Sequence, residues 1–108
     1  MITKEFKEQL LKEIILCKEL NELTLEIKDM FFEIINQEIE KRYSIMIEIN
    51  KILCETNAYD ACCKHVLNFN PDRSDNVYAY IVTIIRSSFA NTIMPILRKR
   101  GKTKIISI

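Results

Sequence analysis

Four cysteines, one histidine and a set of hydroxyl and amide side chains are the groups in this 108-residue chain that could do chemistry. Cys62 and Cys63, followed by His65, invite a metal reading. Their spacing matches no standard zinc pattern, in which paired ligands come as Cys-x2-Cys. The other reading is that these cysteines are small apolar side chains on a buried helix. In a reducing cytosol Cys17, Cys54, Cys62 and Cys63 need not pair. His65 has no clear nucleophile arrangement, and a chain with one glycine carries no phosphate-binding glycine loop. No catalytic residue, metal or cofactor is therefore expected, and the chain reads as a binding protein rather than an enzyme.

The charge distribution is more informative than the net charge of +1. Residues 1–97 carry eleven basic and fifteen acidic side chains. Residues 98–108 carry Arg98, Lys99, Arg100, Lys102 and Lys104 and no acid, and no acidic residue follows Asp75. A basic end on an acidic body points to phosphate binding there, or to a solvated basic tail.

These groups need elements to position them. Hydrophobic residues make up 48% and charged residues 29%, with one Gly and two Pro, too few turn formers for a β-protein of this length. The expected fold is all-α, a compact bundle of about four helices in a single domain. No signal peptide is expected, and no stretch is read as approaching a membrane span, so the chain is expected in the cytoplasm. Phe6, Leu10, Ile14 and Cys17, with Leu11 and Ile15 beside them, predict a helix over about 3–22. Leu25, Met30, Phe31, Ile34, Ile35 and Ile39 predict a second over about 23–43, with a break at Tyr43-Ser44. A third is read over about 45–68, with Ile52, Tyr59, Cys63, Val66 and Leu67 on its buried side. Asn70-Pro71-Asp72 is turn chemistry, after which Ser74 or Asp75 can cap a fourth helix over about 76–98. Pro95 should kink or shorten it, and Gly101 marks its latest end.

Two helix faces are unusual. On a wheel of the fourth helix, Tyr78, Ile81, Val82, Ile85, Phe89 and Ile93 share the core side. The opposite side holds Tyr80, Thr83, Ile84, Ser87, Asn91 and Met94, with Arg86 flanking it. This is no ordinary Lys/Glu solvent face. An exposed ring can stack on an unpaired base, and uncharged hydroxyls and amides can bond base edges or phosphates. The plainer alternative is that Tyr80 and Ile84 pack against another helix. On the third helix Asn57, Asp60, Lys64 and Asn68 form a polar stripe, either a solvated face or a docking surface for a protein partner.

Between Ala61 and Ile93 the chain resembles conserved region 2 of the sigma-70 family. The residues that carry the likeness are Phe69-Asn70-Pro71-Asp72-Arg73, Tyr78-Ala79-Tyr80-Ile81, Arg86 and Phe89. It is most similar to the short late-transcription sigma factors of T-even-type bacteriophages, through Lys64, Asn68-Phe69 and Ala79 to Ile81. Phe31 to Tyr43, ending Glu40-Lys41-Arg42-Tyr43, looks like their preceding helix, so the resemblance spans roughly residues 24–100. It implies an RNA polymerase specificity subunit acting in the bacterial host cytoplasm. The helix holding Asn57, Asp60, Lys64 and Asn68 would dock on the clamp helices of the largest core subunit. Tyr80, Thr83, Ile84, Arg86, Ser87 and Asn91, with Arg98, Lys99 and Arg100, would contact the non-template strand of a −10-like promoter element. Tyr80 would stack on its flipped base.

The departures shape the expectation. Thr83-Ile84 stands where primary sigma factors hold a Trp pair that helps wedge the duplex open. Opening would then lean on an AT-rich element or a late co-activator. Pro95 has no counterpart in the family pattern. No room follows for a domain reading a −35 element. An alternative is a sigma mimic that occupies the polymerase and inhibits host sigma-dependent transcription. It would keep the third-helix stripe and need no base-reading face.

Overall fold

The computed structural model describes residues 2–42 and 50–107, with side chains described for 2–41 and 50–99. Four α-helices and no strand occur among them: α1 Lys4–Leu20, α2 Leu25–Arg42, α3 Lys51–His65 and α4 Val77–Ser107. A single 3-10 turn, Val66–Asn68, follows α3. The break read at Tyr43-Ser44 and the start of the third helix at Ile45 lie outside the described residues.

Local signals set the helix ends. Thr3 accepts the Phe6 N–H at 3.1 Å and caps α1. Asn21 closes it at φ 54°, ψ 34°, a left-handed position that asparagine tolerates. Thr24 does two jobs. Its hydroxyl oxygen accepts the Ile27 N–H at 3.2 Å, capping α2, and its hydroxyl donates to the Glu13 carboxylate at 2.6 Å. That bond ties the α1–α2 hairpin and satisfies a glutamate that is otherwise buried.

The start of α4 differs from expectation. Its cap is Asn76, whose side chain accepts the Ala79 N–H at 3.2 Å. Ser74 accepts the Asn76 N–H instead, and the Asn70 side chain accepts the Asp72 N–H. The turn thus chains three side-chain caps in succession, and the last of them starts the helix. At the other end α4 is not shortened at Pro95 and does not end by Gly101, but runs to Ser107. Pro95 removes only the bond to the Asn91 carbonyl, and Asn91 lies on an exposed face where water can replace that donor. Gly101 takes no positive φ, so no left-handed cap forms there.

The core gathers Leu10, Ile14 and Cys17 of α1, Phe31, Ile34 and Ile35 of α2, and Ile81, Ile85 and Phe89 of α4, all with no exposure. Two expected core residues lie outside it: Leu25 is 79% and Ile52 80% exposed. Leu25 opens α2 and protrudes past the hairpin. Ile52 is displaced by the phase of α3, whose buried stripe is Cys54, Ala58 and Cys62. Those side chains are small, so α3 lies close to its neighbours, and α4 is the helix it meets most. Ile52 precedes Cys54 by two residues and falls about 200° round the helix. Tyr59, Cys63 and Leu67 are half-buried, and Val66 is fully buried.

One further expectation is corrected. Val77–Lys99 is long and apolar enough to cross a membrane, judged by length and composition. The sequence reading overlooked it because Arg86 and the polar residues interrupt the apolar run. In the fold its apolar side, Ile81, Ile85, Phe89 and Ile93, is covered by the other helices.

Candidate nucleic-acid interface

The two faces singled out on α3 and α4 meet. They form opposite walls of one open groove of about 620 Å³. The α3 wall supplies Asn57, Asp60, Ala61, Lys64 and His65. The α4 wall supplies Tyr80, Thr83, Ile84, Ser87, Ser88, Asn91 and Thr92. The close approach allowed by Cys54, Ala58 and Cys62 brings the stripes within reach of each other. A hydrogen bond of 3.0 Å from the Asn57 amide to the Thr92 hydroxyl spans the two helices.

The α4 wall contains no ionisable group besides the phenol of Tyr80. Some of its hydroxyls are tied to the helix backbone. Thr83 donates to the Ala79 carbonyl at 2.9 Å and Thr92 to the Ser88 carbonyl at 2.8 Å. The Thr83 oxygen keeps acceptor capacity, while the Thr92 oxygen already accepts from the Asn57 amide. Charge is confined to the α3 wall, where Lys64 and Asp60 pair at 3.1 Å, both more than 60% exposed. An i,i+4 pair so exposed contributes little to stability and exchanges readily for a ligand.

Tyr80 sits at the groove's end next to the 3-10 turn. Its hydroxyl donates to the His65 carbonyl at 3.0 Å, and its ring leans on Phe69, 5.3 Å between centroids at 38°. Tyr80 and Ile84 are half-buried and packed against the core while still lining the groove. Each of these two side chains thus has a packed side and a groove side.

The remaining expected residues lie elsewhere. Asn68 is exposed at the end of the 3-10 turn and does not line the groove. Arg86 is turned toward α2, its Nε 3.0 Å from Oε1 of Glu38. Glu38 is 2% exposed, while the Arg86 side chain is 43% exposed. Arg86 thus balances a buried carboxylate. Arg98 and Lys99 are exposed further along α4. Arg98 follows Tyr80 by eighteen residues, a whole number of turns, so it extends the same face about 27 Å on. The Arg100 side chain lies outside the described residues.

Sequence reasoning passed over Ala61, His65, Ser88 and Thr92 as groove residues. Ser88 and Thr92 follow Ile84 at intervals of four, a signal the wheel carried but which lay on the edge between core and surface.

The cysteines belong to the core instead. Cys17, Cys54 and Cys62 have no exposure. Burial, then the neighbouring Cys63, pushes the Cys62 thiol up to about 12. Burial and the Asp60 charge raise Cys63, opposed by its hydrogen bond with Tyr59 and by Lys28. Among the described residues, no group of three or more His, Cys, Asp or Glu is placed to hold a metal.

The groove can therefore offer a planar ligand one aromatic face, an apolar floor at Ile84 and several uncharged hydrogen-bonding groups, with a basic helix beyond. No protein-family model, curated protein or solved structure matches this chain.

Proposed function

We propose that this chain is a minimal sigma factor of phage late type. It would be a non-enzymatic subunit that gives RNA polymerase specificity for a −10-like, AT-rich promoter element. One observation carries the reading furthest. The uncharged, aromatic-ended face of α4 lines an open groove, and the same helix continues into a basic end. An unpaired base fits such a wall because stacking and neutral hydrogen bonds do not repel it, while phosphates are drawn to the basic extension. The resemblance at residues 61–93 supplies the polymerase, through its clamp helices, as the partner of the α3 stripe. It also supplies the non-template strand as the DNA ligand.

In this reading α3 docks through Asp60 and Lys64, which are exposed and weakly committed to each other. Asn57 acts as a fixed wall of the groove, since its amide is already bonded to Thr92. Opening of the promoter presents a base to Tyr80, with Thr83, Ser87 and Asn91 along its path. Arg86 contributes through the structure of α4 and through whatever part of its guanidinium remains open to solvent. Binding to DNA without polymerase is weak, because the basic end makes few phosphate contacts.

A second reading draws on the state of Tyr80. Its hydroxyl and one side of its ring are already engaged, as they would be in a mimic that occupies the polymerase and never reads a base. Run-off transcription separates the two. Bacterial core polymerase plus this chain on AT-rich templates should give discrete starts that Tyr80→Ala abolishes. Tight binding to core with inhibition of host sigma, unchanged by Tyr80→Ala, would establish the mimic. Absence of binding to core would defeat both.

A further inference from the structure

Helix α1 lies before the span of the resemblance, yet it is wired to the groove. Lys18, in its last turn, crosses to the segment after α3 and donates from Nζ to the Leu67 carbonyl at 2.7 Å. That distance is short for a charged donor on a neutral acceptor. The carbonyl belongs to the 3-10 turn, where helical donors run out, so the ammonium fills a real vacancy in the backbone. The same short segment holds Tyr80 from two directions. The His65 carbonyl takes its hydroxyl at 3.0 Å, and the Phe69 ring, with 6% exposure, supports its ring. The Phe69 N–H returns to the Val66 carbonyl at 3.1 Å and closes the turn.

We infer that α1 is the brace of the groove, with Lys18 and Phe69 acting as positioning residues that fix the ring plane of Tyr80 through residues 65–69. The inference rests on the groove being a single-strand site. An unfixed tyrosine loses side-chain freedom when a base stacks on it, and that loss weakens binding. A ring tethered at its hydroxyl and backed by a second aromatic has already lost it. With one side on Phe69, only the groove side is offered, which selects the approach of the base. The need is acute here because Thr83-Ile84 supplies no neighbouring indole to share the stacking. Lys18 is exposed and distant in sequence from every groove residue, and its bond to the Leu67 carbonyl joins it to the turn that holds Tyr80.

Two readouts on the full chain test this. The first is the tyrosine ring signals of chain carrying isotope-labelled tyrosine, observed by NMR in Lys18→Met, which keeps the apolar stem and loses the donor. The Tyr80 resonances should shift and their contacts to Phe69 weaken, while the other tyrosines hold and the melting temperature falls only by the few degrees that one hydrogen bond is worth. The second is binding of a short AT-rich single strand carrying 2-aminopurine, at low salt. Lys18→Met and Tyr80→Phe should each weaken quenching affinity by roughly two- to tenfold, the range one net hydrogen bond carries. Their double variant should lose no more than the larger single effect, because both act on one ring. Unmoved Tyr80 signals in Lys18→Met would overturn the brace, whatever the strand does. Moved signals with unchanged affinity would also overturn it, since the ring would then not need positioning. An unsubstituted chain that quenches the probe neither alone at low salt nor bound to core polymerase would defeat the single-strand reading itself. The ring signals would then decide only whether α1 orders Tyr80, and the positioning role would fall.

Discussion

Removing Arg86 would take from the Glu38 carboxylate, 2% exposed, the guanidinium whose Nε lies 3.0 Å away. Taking the charged member from a buried hydrogen-bonded pair leaves the other's charge less well compensated, whereas replacing both with apolar groups can be nearly neutral. Arg86→Met should therefore lower unfolding free energy by about 1–3 kcal/mol. Most of that should return in the double variant Arg86→Met/Glu38→Leu. Urea denaturation of the three variants at neutral pH measures it, and a double variant worse than Arg86→Met would contradict the account. The cysteine thiols give a second test. Cys62 is pushed up to about 12 by burial from an ordinary value of 9.0. Its folded form stays protonated where the unfolded chain has already ionised. That stabilisation is complete below pH 9 and is lost as pH rises toward 12, by up to about 1.4 kcal/mol for each unit. Denaturation at pH 8 and pH 10 should show a steeper loss for the natural chain than for Cys62→Ala.

Helix ends and interruptions make the predictions at the level of elements. The Asn76 side chain bonds the Ala79 N–H and starts α4. Asn76→Ala should cost about 1 kcal/mol, and Asp75→Ala should stay within about 0.5 kcal/mol. Thermal melts of the two variants rank them directly, and the reverse order would place the cap where the sequence alone suggested. Pro95 lies inside α4, which continues to Ser107. Pro95→Ala restores a donor to the Asn91 carbonyl, and proline disfavours a helix interior by about 3 kcal/mol relative to alanine. Hydrogen exchange should then slow in residues after 95 and remain unchanged in α1. Equal exchange in both chains would mean that the helix already accommodates the proline at no cost.

The molecule measures 55 × 25 × 24 Å, and its long axis reflects a helix of 31 residues, about 46 Å at 1.5 Å per residue. Such a shape separates an acidic bundle from a basic extension along one axis. If the chain binds DNA as proposed, its affinity should therefore depend on salt mainly through that extension. Each phosphate contact on single strands contributes about 0.7 to the slope of log affinity against log salt. Arg98→Ala should reduce the slope by about that amount and leave base preference intact. Tyr80→Ala should change affinity with no effect on the slope. Fluorescence anisotropy of a labelled strand over a salt series separates the two, and an Arg98→Ala slope equal to the natural one would remove Arg98 from the interface.

Much of this was legible in the residues. The spacing of apolar side chains determined four helices, because a helix must bury one stripe and repeats it every three to four residues. The same periodicity placed Ile81, Ile85 and Phe89 in the core and left Tyr80, Thr83, Ser87 and Asn91 on another face. Periodicity works within one helix and says nothing of its neighbour. The meeting of the Asn57–Lys64 stripe with that face followed from the small buried residues of α3, which tertiary packing alone could convert into a close approach. The exposure of Leu25 and Ile52, the turn of Arg86 toward Glu38, and the reach of Lys18 to Leu67 are of the same kind. Each depends on which surfaces lie opposite one another in the fold, a property of packed helices rather than of any one stretch of chain.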